Sequence, residues 1–171
     1  MPGRETVRLL KGLALSSVLG AWAVIVIGGY VTATNSGLAC PNVIDCGPAS
    51  EPGLAAIELT HRLAGWVEGF LVLALFVLVA WRYRAWRPVR ALSTLSLVLV
   101  AVQATIGMLT VYAGYEAFGW YPALVTAHLG VASAFLAVTV LNAVTVYRGT
   151  PPTTGAPTAH SPKAESANAM E

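Results

Sequence analysis

The chain has 171 residues, 56% hydrophobic and only 11% charged, with a formal net charge of +2 and a mean hydropathy of +0.68. A soluble domain of this size carries about a quarter charged residues, so the composition excludes a water-covered globule. The small net charge, with its basic residues scattered around apolar segments, excludes nucleic acid as a partner.

Four apolar segments meet the roughly 20 residues needed to cross a bilayer. They are 13–31, 63–80, 91–111 and 122–146. The first follows Arg4, Arg8 and Lys11, a basic start shared with secretory signals, but its apolar run exceeds the roughly 7–15 residues of such a signal. Cleavage there would also break the charge logic of the later spans. The loop after it holds both cysteines, Cys40 and Cys46. A lipoprotein site at Cys40 wants a large aliphatic residue three positions upstream, where Gly37 stands. A disulfide, a metal site, a lipid anchor and a processing site are the readings open to this loop.

Arg82, Arg84, Arg87 and Arg90 lie between the second and third spans and Arg148 follows the fourth, whereas 32–60 and 112–121 contain no Lys or Arg. The positive-inside rule then predicts both termini in the cytoplasm and the cysteine loop outside it. Trp66, Trp81, Trp86 and Trp120 fall at or near the expected interfaces, as an aromatic belt requires. The stretch 150–171 is rich in Pro, Ala, Thr and Ser, includes His160, and reads as a disordered cytoplasmic tail. The expectation is an all-α, four-span bundle over 1–149 followed by that tail.

An internal repeat organises the spans. "GGYVT" (28–32) and "IGMLT" (106–110) each close an odd-numbered span, and each is followed by a span with one histidine near its loop end: "LTHRLAGW" with His61 and "VTAHLGVA" with His128. Two helix pairs of the same orientation imply a pseudo-twofold axis along the membrane normal, with spans two and four facing each other. Ionisable groups inside a membrane are functional candidates by default. Two imidazoles facing across a bundle suit the axial bonds of one haem iron, whose porphyrin faces the apolar helices bury. Zinc wants four donors. The plainer alternative is that each histidine hydrogen-bonds a neighbouring helix; matching positions in a repeat favour ligation.

Glu58, His61, Gly65 and Glu68 are spaced three, four and three, and share one helical face. Gly65 lets a flat ligand or another helix approach. Glu58, one turn beyond His61, is suited to proton handling or to stabilising positive charge at the edge of a bound haem. Arg62 is suited to a haem propionate, or simply snorkels. Glu68 lies deeper and is costly there unless protonated or paired, with Gln103 or a hydroxyl as its candidate partner. Gln103, Gly107 and Thr110 form a second small, polar stripe, while Ser16, Ser17 and Gly20 read as helix packing.

These segments together resemble the heme A synthase family. The resemblance is carried by "GGYVTATNSGLACP" (28–41) with Cys46, "ELTHRLAGW" (58–66), "QATIGMLTV" (103–111) and "TAHLG" (126–130), which touch all four spans in the family's order. It implies a membrane enzyme, in the cell membrane of a prokaryote, that oxidises a methyl group of heme O to the formyl group of heme A for terminal oxidases. It makes His61 and His128 axial ligands of haem (a haem b cofactor, the heme O substrate or the heme A product), Glu58 the active-site acid, and Cys40 and Cys46 the paired loop cysteines. Heme O synthase and the terminal oxidase assembly are then the implied partners. The family pattern has eight spans in two halves, each with a histidine pair. This chain resembles one half, so one site serves both roles or protomers share the work, which favours a homo-oligomer. Where the family's loop carries Trp-Pro, this chain has Val43 and Ile44, and Glu68 has no counterpart in the pattern.

Outside the cytoplasm disulfides persist, and the loop then reads as a disulfide-closed lid over the haem pocket. Two other functions use the same residues: a haem b electron carrier with two histidine ligands, and an assembly or scaffold protein with structural histidines.

Overall fold

The computed structural model describes residues 3–40, 42, 46–49, 51–115 and 119–151. Val43, Ile44 and the tail beyond Pro151 lie outside them. The described residues form four helices and no strand: α1 (Arg4–Ala33), α2 (Pro52–Arg82), α3 (Arg87–Tyr115) and α4 (Tyr121–Arg148). All four are long and apolar enough to cross a membrane.

At 28 to 31 residues the helices span about 42–46 Å at 1.5 Å per residue, more than the ~30 Å hydrocarbon core. They therefore run past the apolar segments at both ends. The largest extension is in α2, which starts at Pro52 rather than near Leu63. Hydropathy marks only the part facing lipid tails, while backbone hydrogen bonding carries the helix into the interface. Glu58 and His61 thus stand within regular helix.

Local chemistry sets the ends. The Thr34 hydroxyl donates to the Tyr30 carbonyl (2.8 Å), and Asn35 takes a left-handed conformation with φ 53°. Asn tolerates that region better than most residues and stops the helix there. Pro52 and Pro122 sit in the first turns of α2 and α4, where a missing N–H costs nothing. Between α2 and α3 the Trp86 N–H donates to the Tyr83 carbonyl (2.8 Å), closing a tight turn.

The helices pack as a closed ring in the order α1, α2, α3, α4, each against its two neighbours, and the diagonal partners stay apart. α2 and α4 therefore face one another across the interior, as the repeat predicts. At the end carrying the termini, Leu10, Ala14, Leu75, Val79, Val89 and Val146 close the bundle. Near mid-bundle Ala21, Val72 and Phe135 form a second apolar layer. Between them the Asn142 amide donates to the Ser93 hydroxyl across the α3–α4 seam (3.0 Å).

Trp86 corrects the aromatic-belt assignment. Trp66, Trp81 and Trp120 are exposed, but Trp86 is 7% exposed and belongs to the core cluster. Its ring lies against Gly149, where a Cβ would come within 2.5 Å, and against the Tyr83 ring at 6.3 Å. The Tyr83 hydroxyl is buried beneath it, and burial pushes that phenol above its ordinary range, with neighbouring Arg82 pulling slightly the other way. Trp86→Ala is expected to lower stability by about 3–5 kcal/mol, read as an earlier midpoint in denaturant unfolding of the detergent-solubilised protein.

Candidate functional site

The repeat becomes geometry at the two histidines. His61 on α2 lies over Gly28 of α1, and His128 on α4 lies over Gly107 of α3. A Cβ at Gly28 would meet His61 Cε1 at 2.9 Å, and one at Gly107 would meet His128 Cε1 at 3.1 Å. Glycine at both positions gives the imidazoles room close to the neighbouring backbone. Each ring also addresses a main-chain carbonyl one turn before its glycine, Val24 for His61 and Gln103 for His128. Nδ1 of both rings is buried and makes no hydrogen bond of full geometry. The ring centroids stand 6.5 Å apart with planes at 77°.

The register of the repeat differs by one residue from the motif reading. Matching Thr32 with Thr110 pairs Gly29 with Gly107, whereas the residue beneath His61 is Gly28. A step of 79 residues carries Gly28 to Gly107, Val24 to Gln103 and Ser17 to Ser96, and a step of 67 carries His61 to His128. The carboxylates do not repeat: the same step carries Glu58 to Val125 and Glu68 to Phe135.

Glu58 is 3% exposed and is held by the cysteine loop. The Cys40 N–H donates to Glu58 Oε2 (2.7 Å), and Arg62 pairs with Glu58 Oε1 while also donating to the Asn42 carbonyl. Charge-assisted bonds of this kind are the strong ones, so loop and helix are tied through one carboxylate. Cys40 and Cys46 form a disulfide, and both sulfurs lie 3.4 Å from the Ala55 carbonyl oxygen. The loop is thereby drawn onto α2 one turn before Glu58. Arg62, the candidate for a haem propionate, thus donates to both Glu58 and the loop.

Two expectations for the stripe change. Gly65 has nothing within 4 Å of a built Cβ, so of its two expected roles the close helix approach falls instead to Gly28, Gly107 and Gly20. Glu68 is 3% exposed, its oxygens have no hydrogen-bond partner, and it fills the notch left by Gly20. Gln103 Oε1 is likewise buried and unpaired rather than bonded to it. The Gly20 notch escaped the sequence reading because the register between α1 and α2 is not written in either helix alone. Among the described residues no third histidine, cysteine or carboxylate joins the imidazole pair as a metal cluster. A cleft of about 470 Å³ opens between the end of α1, the loop and the start of α4, reaching Val125 and Thr126 beside His128.

The fold and site define a four-span helical membrane protein with an imidazole pair facing across its interior. The chain belongs to the heme A synthase family: its residues 46–170 match the family described as cytochrome oxidase assembly protein. It is similar to proteins named heme A synthase from Lysinibacillus sphaericus (30% identity, covering 82% of this chain and 46% of that protein) and Alkalihalophilus pseudofirmus (28%, 81% and 46%). The one from Bacillus mycoides is 31% identical, covering 78% and 43%. The chain thus spans less than half the length of these relatives. No solved structure matches it.

Proposed function

We propose that this chain is a heme A synthase that oxidises a methyl group of heme O to a formyl group while His61 and His128 hold the haem. The observation that carries the reading is the separation of the two rings. Two in-line metal–imidazole bonds of about 2.0–2.1 Å, with about 1.1 Å from each nitrogen to its ring centre, put the centroids about 6.3 Å apart; the rings stand 6.5 Å apart. A ligating imidazole commonly gives its second N–H to a carbonyl or carboxylate, and the Val24 and Gln103 carbonyls serve each ring.

When bound, the iron porphyrin supplies the redox chemistry and, as heme O, the methyl group to be oxidised. The rest falls to the chain. Gly28 and Gly107 set the imidazoles close to the helix backbones. Glu58 accepts protons at its carboxylate oxygens, with Arg62 and the Cys40 N–H fixing their direction. The disulfide holds that loop in place, outside the cytoplasm in the topology that the basic residues favour.

The test is coexpression with a source of heme O, followed by pigment extraction. Heme A is expected from the native chain. Glu58→Ala is expected to retain haem and to lose product by about 100-fold or more, the scale of a general acid–base contribution. Full product from that variant refutes the role given to Glu58. Protohaem alone identifies an electron carrier, and a purified protein without a Soret band identifies a scaffold.

A further inference from the structure

Glu68 is the buried acid that this chemistry leaves unused. It stands seven residues along α2 from His61, about 10 Å toward the end carrying the termini. Both its oxygens lack a partner, as do Ser17 Oγ on α1 and Gln103 Oε1 on α3. Buried polar groups are almost always satisfied, so several unpaired ones in the interior of a membrane bundle mark a functional compartment. Beyond it, toward the termini, the apolar cluster around Leu10, Val79, Val89 and Val146 seals the bundle. On the other side Gln103 links the compartment to the histidines, because its main-chain carbonyl addresses His128.

Packing does not require an acid here. The repeat-related position on α4 is Phe135, which the same architecture accommodates in its core. An unpaired acid is costly in this setting, and Gly20 is shaped around it.

Resting on the haem reading above, we propose that Glu68 is the proton-exchanging group of this site, binding one proton when iron held by the His61–His128 pair gains one electron and releasing it when that electron leaves. In the balanced step one electron enters from a small-molecule redox mediator. One proton from the aqueous phase forms an O–H bond on the Glu68 carboxylate, so the net charge of the buried site is unchanged. At about 10 Å and an effective dielectric constant of about 20, one unit of charge alters proton affinity roughly tenfold to twentyfold.

The nearest other carboxylate is Glu58, three residues from His61, where Arg62 and the Cys40 N–H occupy its oxygens. α1 presents Gly20 and Ser17, with its nearest charge at Lys11, and α3 presents Gln103, with its nearest at Arg90. On α2 itself Arg62 is engaged by Glu58 and the loop. Across the interior α4 offers His128, with its nearest charge at Arg148 near the end carrying the termini.

The experiment is spectroelectrochemical titration of the haem-loaded full chain over a range of pH. Each tenfold redox-linked change in proton affinity separates the acid and alkaline plateaus of the midpoint potential by about 59 mV. The native chain is expected to show at least one such separation, and Glu68→Gln to flatten it. A native potential that does not vary with pH, or an unchanged separation in Glu68→Gln, overturns the proposal while leaving the haem reading intact. Absence of a Soret band from the native chain defeats both readings together. If Glu68→Gln fails to hold haem, the reduced-minus-oxidised infrared spectrum decides. A carboxylic-acid signal present in the native chain and in Glu58→Gln supports the assignment, and its absence refutes it.

Discussion

His61→Ala and His128→Ala are each expected to lower haem affinity by at least about 100-fold, with loss of the Soret band, and to leave the bundle folded. Outer-shell changes around metal ligands already cost about 10–100-fold, and removing a ligand costs more. The fold is expected to survive because both rings are only partly buried and neither Nδ1 makes a hydrogen bond of full geometry. The two variants should match closely, since each ring has the same glycine and carbonyl setting. Haem titration by absorbance, with circular dichroism for the fold, makes the measurement. Retained binding in either variant excludes ligation by the pair.

The second large effect concerns the seats rather than the ligands. Gly28→Val and Gly107→Val push side chains into the imidazoles, and haem affinity is expected to drop by about tenfold or more, the scale of a displaced outer-shell partner. The milder Gly28→Ala should cost more than Gly107→Ala, because its Cβ would lie 2.9 Å from the ring rather than 3.1 Å. Gly12→Ala and Gly29→Ala are the controls, since a Cβ there meets nothing within 4 Å. Replacing glycine in a helix adds about 1 kcal/mol of helix stability. Stability and haem affinity therefore move in opposite directions at the seats, and affinity stays constant at the controls. Equal haem affinity across all four positions would dissociate the seats from binding.

The spans were legible because membrane insertion depends on a local average of hydropathy, which one sequence contains. The face joining Glu58, His61 and Glu68 was legible for a similar reason, as helical periodicity is local. What needed the structure was register between elements. Thr32 and Thr110 align by letter, yet their hydroxyls bond within their own helices to Gly28 and Gly107 respectively, and the glycines decide where the histidines rest. The Cys40–Glu58 hydrogen bond joins residues 18 apart, and the Gly20–Glu68 fit joins residues farther apart still. Neither leaves a trace in composition or spacing. Trp86 was misjudged because a tryptophan at an apolar boundary faces lipid or folds back over the bundle end with equal sequence support.

The unequal halves of the repeat have a stereochemical consequence. The α2 wall carries two carboxyl groups where the α4 wall carries an isopropyl and a phenyl. A flat guest between these walls has two chemically distinct sides, one exposed to acids and one to hydrocarbon. A porphyrin with different substituents around its rim is not superimposable on itself when turned over. With haem held between the histidines as proposed, one sense of insertion is expected to be preferred over the other.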